Sequence, residues 1–131
     1  MADAGRVLRE GAFEGETHIV TGAGQGIGHA VATMLAAHGA QVVLVDIDEG
    51  QVREAAQEIG KQATVSPIEA PANVADEEAV KGAVGRALEA SGAIHGVVNV
   101  AGITKDARIP KKSFDDFKAV LAVHLHGTFL F

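Results

Sequence analysis

The chain has 131 residues, a formal net charge of −6, 16 Gly and no Cys, Trp or Tyr, a length that suits one domain able to bury roughly two-thirds of its unfolded surface. A hydrophobic share of 47% indicates a packed globule rather than disorder, and the acidic balance disfavours nucleic acid or anionic lipid as the main partner, since both need a basic footprint. Without Cys there is no disulfide framework, thiolate metal site or Cys nucleophile, and no run approaches the ~18 apolar residues of a membrane span, so the expectation is a soluble, cytoplasmic protein.

Residues 1–15 carry no periodicity and predict a flexible lead-in, with the structured domain covering 16–131. His18, Ile19 and Val20 form a short strand that ends in the turn Thr21-Gly22-Ala23-Gly24-Gln25-Gly26-Ile27-Gly28. The spacing of Ile27, Ala30, Val31, Met34, Leu35 and His38 predicts a helix with one apolar face, stopped by Gly39. Residues 41–46 (QVVLVD) read as a strand covered on both faces, with Asp46 at its carboxyl end. Asp48 and Gln51 make a capping box for a helix through Val52, Ala55, Ala56 and Ile59. A third strand is expected over 63–69, placed at the sheet edge by Pro67 and Pro71.

Asp76 should cap a third helix with Val80, Ala83, Val84, Ala87 and Leu88 on one face, stopped at Ser91-Gly92. A fourth strand over 94–100 runs into Asn99-Val100-Ala101-Gly102, and Ser113 with Asp116 marks the start of a last helix. On that helix Phe117, Val120, Leu121 and Leu125 read as core. Strands alternating with helices in this way predict βαβ units, a parallel sheet and right-handed crossovers.

A glycine triplet alone is a weak signal. Here it follows a strand, opens an amphipathic helix and has an acidic residue about 20 residues on, the context that a dinucleotide site requires. Glycines let the backbone turn tightly and approach a pyrophosphate, whose charge then meets the unpaired N–H groups of the helix. Asp46 would accept from the adenosine ribose hydroxyls and repel a 2′-phosphate, and residues 46–52 offer no Arg or Lys to attract one, so NAD is favoured over NADP. There is no GxxxxGK[ST], so a P-loop nucleotide hydrolase is disfavoured.

The segment TGAGQGIG at 21–28, together with NVAG at 99–102, resembles the motifs of the short-chain dehydrogenase/reductase family. Residues 101–129 are also similar to 3-oxoacyl-carrier-protein reductases and related hydroxysteroid and hydroxyacyl dehydrogenases. The resemblance implies a doubly wound α/β Rossmann sheet of order 3-2-1-4, truncated here after the fourth strand and following helix, with NAD at the switch point between strands one and four. It implies that Gly22, Gln25, Gly26, Ile27 and Gly28 surround the pyrophosphate and neighbouring ribose, and that Asp46 and Ile47 flank the adenosine. Asn73 and Val74 match an Asp-Val pair at the adenine ring, while Asn99, Ala101 and Gly102 line the cofactor on the fourth strand. His124 stands where the family usually has an Asn that helps to position a catalytic water and Lys.

The chemistry implied is hydride transfer to or from a carbonyl carbon, on a small carbonyl or alcohol substrate, with a Tyr handling the oxygen's proton assisted by Lys and Ser. The chain contains no Tyr, so the Ser and the YxxxK motif are expected downstream of Phe131. A non-catalytic NAD-binding module and an interaction protein stay open as alternatives. The last helix, which contributes to subunit interfaces in related enzymes, implies a homo-oligomer. The six His show no convincing ligand spacing, so no metal site is expected. Lys105, Arg108, Lys111 and Lys112 read as a solvated loop.

Overall fold

The computed structural model describes residues 8–131. Four strands, β1 (Thr17–Thr21), β2 (Gln41–Val45), β3 (Ile68–Glu69) and β4 (Gly96–Asn99), form one parallel sheet of order β3-β2-β1-β4. Between them run α1 (Gly26–Ala37), α2 (Glu49–Gly60) and α3 (Glu77–Ser91). After β4 come a 3₁₀ turn (Ile109–Lys111), α4 (Phe114–Leu121), a π-helical turn (Ala122–His126) and the short α5 (Gly127–Leu130). This is the doubly wound α/β architecture that the alternating pattern predicts, with β3 at the edge.

Alternation along the strands builds two cores. Val20, Val42 and Leu44 point to one face and pack with Ala32, Leu35 and Ala36 of α1 and Val52, Ala55 and Ile59 of α2. Ile19, Val43 and Val45 point to the other face and pack with Ala83 and Ala87 of α3. Residues 42–45 therefore lie between two helical layers, and each is 0% exposed, which is why the run needs no polar alternation.

Several local expectations are corrected. On α1 the buried residues are Gly28, Ala32, Leu35 and Ala36; of the expected stripe Leu35 is buried and Val31 packs on the core, whereas Ile27, Ala30 and Met34 are exposed. Small residues bring the helix close to the sheet and so outweigh larger apolar side chains one position away. The Asp48–Gln51 box is half formed. Asp48 Oδ1 accepts from Gln51 N at 3.0 Å, whereas Asp48 N donates to Asp46 Oδ1 at 3.3 Å instead of to Gln51. Strand β3 is only two residues long and β4 only four. The Asp76 and Ser113 caps form, accepting from Ala79 N and Asp116 N, and Gly92 ends α3 with φ +74°.

Two further corrections concern the ends. Of the expected lead-in, residues 10–15 form consecutive turns. Phe13 N donates to His38 O at 3.0 Å, and the Phe13 ring meets the His18 ring edge-on at 5.4 Å. Residues 1–7 of that expectation lie outside the described residues. At the other end, Phe117 and Leu125 are exposed rather than core, and α4 buries none of its residues. Among the described residues no helix is long and apolar enough to cross a membrane.

Candidate functional site

A cavity of about 420 Å³ opens at the carboxyl ends of the strands, where the turn after β1 faces the loop after β4. That position, at the ends of β1 and β4 where the winding of the sheet reverses, is the topological switch point at which open α/β sheets take their ligands. Of the expected residues, Gly22, Gln25, Ile27, Asp46, Ile47, Asn73, Val74, Ala101 and Gly102 line it. Gly26, Gly28 and Asn99 do not. Ala72, Val100, Ile103 and Val123 also contribute.

Close packing of backbone on backbone explains the glycines. Gly22 has φ +65°, and a Cβ there would lie 3.0 Å from Ala101 Cα, so the first turn and the β4 loop meet with no room for a side chain. A Cβ on Gly28 would collide with the Gly22 carbonyl; Gly28 acts one layer behind the cavity by letting α1 start against the turn. Gly24 is confined by side chains instead. A Cβ there would be 2.8 Å from Gln51 Cβ and 3.0 Å from Asp46 Oδ2, a constraint that the expected glycine set omitted.

Thr21 holds the two loops together. Its side chain is 1% exposed, and its Oγ1 accepts from Val100 N at 3.0 Å and Ala101 N at 3.1 Å. These amides follow the end of β4 and would otherwise be orphaned beside the cavity, at a cost of about 1–3 kcal/mol each. Thr21 stood in the sequence motif as its first letter, but nothing in one sequence shows which distant amides its hydroxyl meets.

Asp46 sits one residue beyond β2. Its Oδ2 accepts from Gly24 N at 3.1 Å and its Oδ1 from Asp48 N. A carboxylate has roughly four acceptor positions, so one on each oxygen is left for hydroxyl donors in the cavity. The exposed side chains of Ile27 and Ile47 stand at the same cavity, both more than 70% open. Gln51 presses on this corner from α2, and its Oε1 is buried without a partner among the described residues.

Across the cavity, Asn73 Oδ1 accepts from Ala75 N at 3.0 Å. Its Nδ2 donors and one oxygen lone pair are left free. Val74 is nearly buried at 6% under Gly127, whose Cβ would come within 2.8 Å of Val74 Cγ2. Asn99 ends β4 opposite Thr21 in the pairing register but is exposed and outside the cavity lining. His124 does not line the cavity either; its ring reaches Ile103, with Nε2 2.9 Å from the carbonyl oxygen. The lining by Ile103 could have been read from its place directly after NVAG, whereas Val123 gave no sequence signal. Among the described residues no group of three His, Cys, Asp or Glu gathers to hold a metal ion.

The sequence model of the family described as short chain dehydrogenase matches residues 16–131. A 3-oxoacyl-acyl-carrier-protein reductase of Thermotoga maritima is 35% identical over 118 residues, covering 89% of this chain and 47% of the relative. Among solved structures, the citronellol catabolism dehydrogenase of Pseudomonas aeruginosa PAO1 superposes with a TM-score of 0.87 at 40% identity, over 95% of this chain and 50% of that one. A short chain dehydrogenase/reductase from Burkholderia phymatum in complex with NAD gives 0.84 at 30% identity, over 90% and 42%. L-sorbose reductase from Gluconobacter frateurii, complexed with NADPH and L-sorbose, gives 0.85 at 25% identity, over 90% and 45%. The chain thus spans about half the length of the proteins it matches.

Proposed function

The chain belongs to the short chain dehydrogenase family, and from that premise we propose that it supplies the NAD-binding part of an oxidoreductase interconverting carbonyl and hydroxyl groups. The observation that carries this reading is the Asp46 corner. A carboxylate held by two backbone amides, with acceptor capacity left on each oxygen, faces a cavity at the switch point. Two ribose hydroxyls match that acceptor pair, whereas a 2′-phosphate brings negative charge to a carboxylate with no cation at residues 46–52. The residues present fit a dinucleotide in a second respect: a side chain at Gly22 or Gly24 would press on Ala101 or on Gln51 and Asp46 and displace the turn that borders the cavity.

In this reading Gly22, Gln25, Gly26 and Ile27 attend the pyrophosphate and its ribose, with Gly28 setting the turn. Asp46 and Ile47 flank the adenosine. Asn73 and Val74 meet the adenine edge, and Asn99, Ala101 and Gly102 carry the β4 side. Bound NAD would supply hydride transfer; the chain's own residues bind, orient and screen it from water. None of the 131 residues is Tyr, so the residues of this chain are assigned to holding the cofactor and not to handling the substrate oxygen's proton.

The substrate class is a small carbonyl or alcohol compound, 3-oxoacyl compounds included, and the working location is the cytoplasm. Exposed Phe114, Phe117 and Phe129 favour self-association through the last helix. Calorimetric titration with NAD and with NADP tests the cofactor assignment. Saturable NAD binding with at least tenfold weaker NADP binding is expected, and equal affinities would overturn the preference for NAD.

A further inference from the structure

Residues 105–112 hold four of the chain's 11 Lys and Arg, namely Lys105, Arg108, Lys111 and Lys112, against one acid, Asp106, in a chain of net charge −6. None of these five enters an ion pair among the described residues, whereas Arg53, Lys81 and Lys118 each meet an acid of their own helix. Positive charge is thus gathered and unanswered on a molecule that is otherwise acidic. Ile109 stands in its midst, 91% exposed, and Phe114 follows at 71%, its ring stacked on that of Phe117 with centroids 6.1 Å apart. Backbone bonds hold the segment in shape. Lys111 N donates to Arg108 O at 2.7 Å and Lys112 N to Ile109 O at 3.2 Å, closing a 3₁₀ turn in which the Pro110 ring fixes φ. The Lys112 ammonium donates to the Lys105 carbonyl oxygen and closes the loop from its other end. An apolar side chain presented on an ordered turn loses little entropy when it is covered, and a surround of unpaired cations selects what covers it.

We propose that residues 105–114 form a docking surface for an acidic amphipathic helix of a partner protein. Its apolar residues would cover Ile109 and Phe114, and its carboxylates would meet Lys105, Arg108 and Lys111. This surface stands independently of the dinucleotide reading. A helix about 10 Å across can touch the basic segment alone. An anionic bilayer or a nucleic acid is broader and would bring its charge against the acidic remainder of the chain as well. Gly102 and Ile103, just before the segment, line the cavity, while none of residues 105–114 does. The partner is therefore held next to the cavity wall without filling the cavity.

The test is fluorescence anisotropy of a labelled Leu/Glu peptide of about 18 residues, long enough to form an amphipathic helix, titrated with the chain expressed in its natural reading frame. Saturable binding is expected, weakening about threefold or more as ionic strength rises from about 0.05 to 0.2 M. The double variant Arg108→Glu, Lys111→Glu and the single variant Ile109→Ser should each weaken it by about tenfold or more, with far-ultraviolet dichroism and NAD affinity as in wild type. Phe129→Ser should leave peptide binding unchanged. No saturable binding by wild type, binding that survives the charge reversal, or equal binding of a Leu/Gln peptide overturns the proposal. Tighter binding to phosphatidylserine vesicles or to duplex DNA than to the peptide overturns it in favour of those ligands. Sedimentation in which the charge reversal abolishes self-association gives the surface to a second copy of the chain and overturns it too.

Discussion

Strands β2 and β4 flank the same central strand, yet residues 42–45 are wholly inaccessible while Gly96, Val97 and Val98 are only partly buried and Asn99 is exposed. The helices that follow differ in the same sense. Helix α2 buries Val52, Ala55, Ala56 and Ile59, as its spacing requires, whereas α4 buries none of its residues and leaves Phe114 and Phe117 open. The β2 side closes on itself through local βαβ packing. The β4 side joins its ladder with β1 and the packing of Val97, Val98, Val123 and Phe131 on the cores to contacts that lead back to the cavity: Thr21 to Val100 and Ala101, His124 to Ile103, and Gly127 to Val74. Complete burial thus marks one side of the switch point, and partial burial joined to directed contacts at the cavity marks the other.

Substitutions on the two sides should separate these sources of stability. The largest effect is expected at the root of the closed side. Gly28→Ala places a methyl in the Gly22 carbonyl, so α1 must move off the turn; urea unfolding should show a loss of about 3 kcal/mol or more, and dinucleotide binding should vanish.

Thr21→Val keeps shape but orphans two amides, and should cost about 2–4 kcal/mol by the same measurement. Thr21→Ser should recover most of it, because the hydroxyl rather than the methyl joins the loops. A loss below about 0.5 kcal/mol in Thr21→Val would mean that β4 is held by its ladder and not by the threonine.

Asp46→Asn tests the cavity more than the fold. Calorimetry should show NAD binding weakened about tenfold or more, in line with the loss of charged hydrogen bonds, while NADP binding changes little. The smallest effect belongs to the open side. Phe129→Ser, at a side chain 86% exposed, should leave the unfolding free energy within about 0.5 kcal/mol. Sedimentation of that variant should show less self-association. A strongly destabilised Phe129→Ser would contradict the view that the exposed rings of this side contribute little to its burial.

The same contrast explains what one sequence reveals. Residues 42–45, the Asp48 and Asp76 caps, the Gly92 stop and the glycine turn announce themselves because each obeys a local rule of periodicity or backbone conformation. The place of Asp46 followed from its spacing after the glycine turn, whereas the sheet order and the placing of Asn73 and Ala101 at the same cleft followed from the family resemblance. Hidden were the features set by tertiary contact. Helix α1 turns Gly28 and Ala32 rather than Met34 to the sheet because backbone approach outweighs side-chain size. Gly24 is fixed by Gln51 from another helix. His124 reaches Ile103 through a π-helical turn that a 3.6-residue period does not describe.

The central claim, that the switch-point cavity is a dinucleotide site built on Asp46 and the Gly22–Ala101 contact, is tested most directly by following backbone amide resonances as NAD is added. The account predicts saturable shifts concentrated at Gly22, Gly24, Asp46, Val74 and Ala101 through Ile103, with the amides of α2 beyond Val52 unmoved. Saturable binding whose shifts fall elsewhere, or no shifts at all at millimolar NAD, would contradict it.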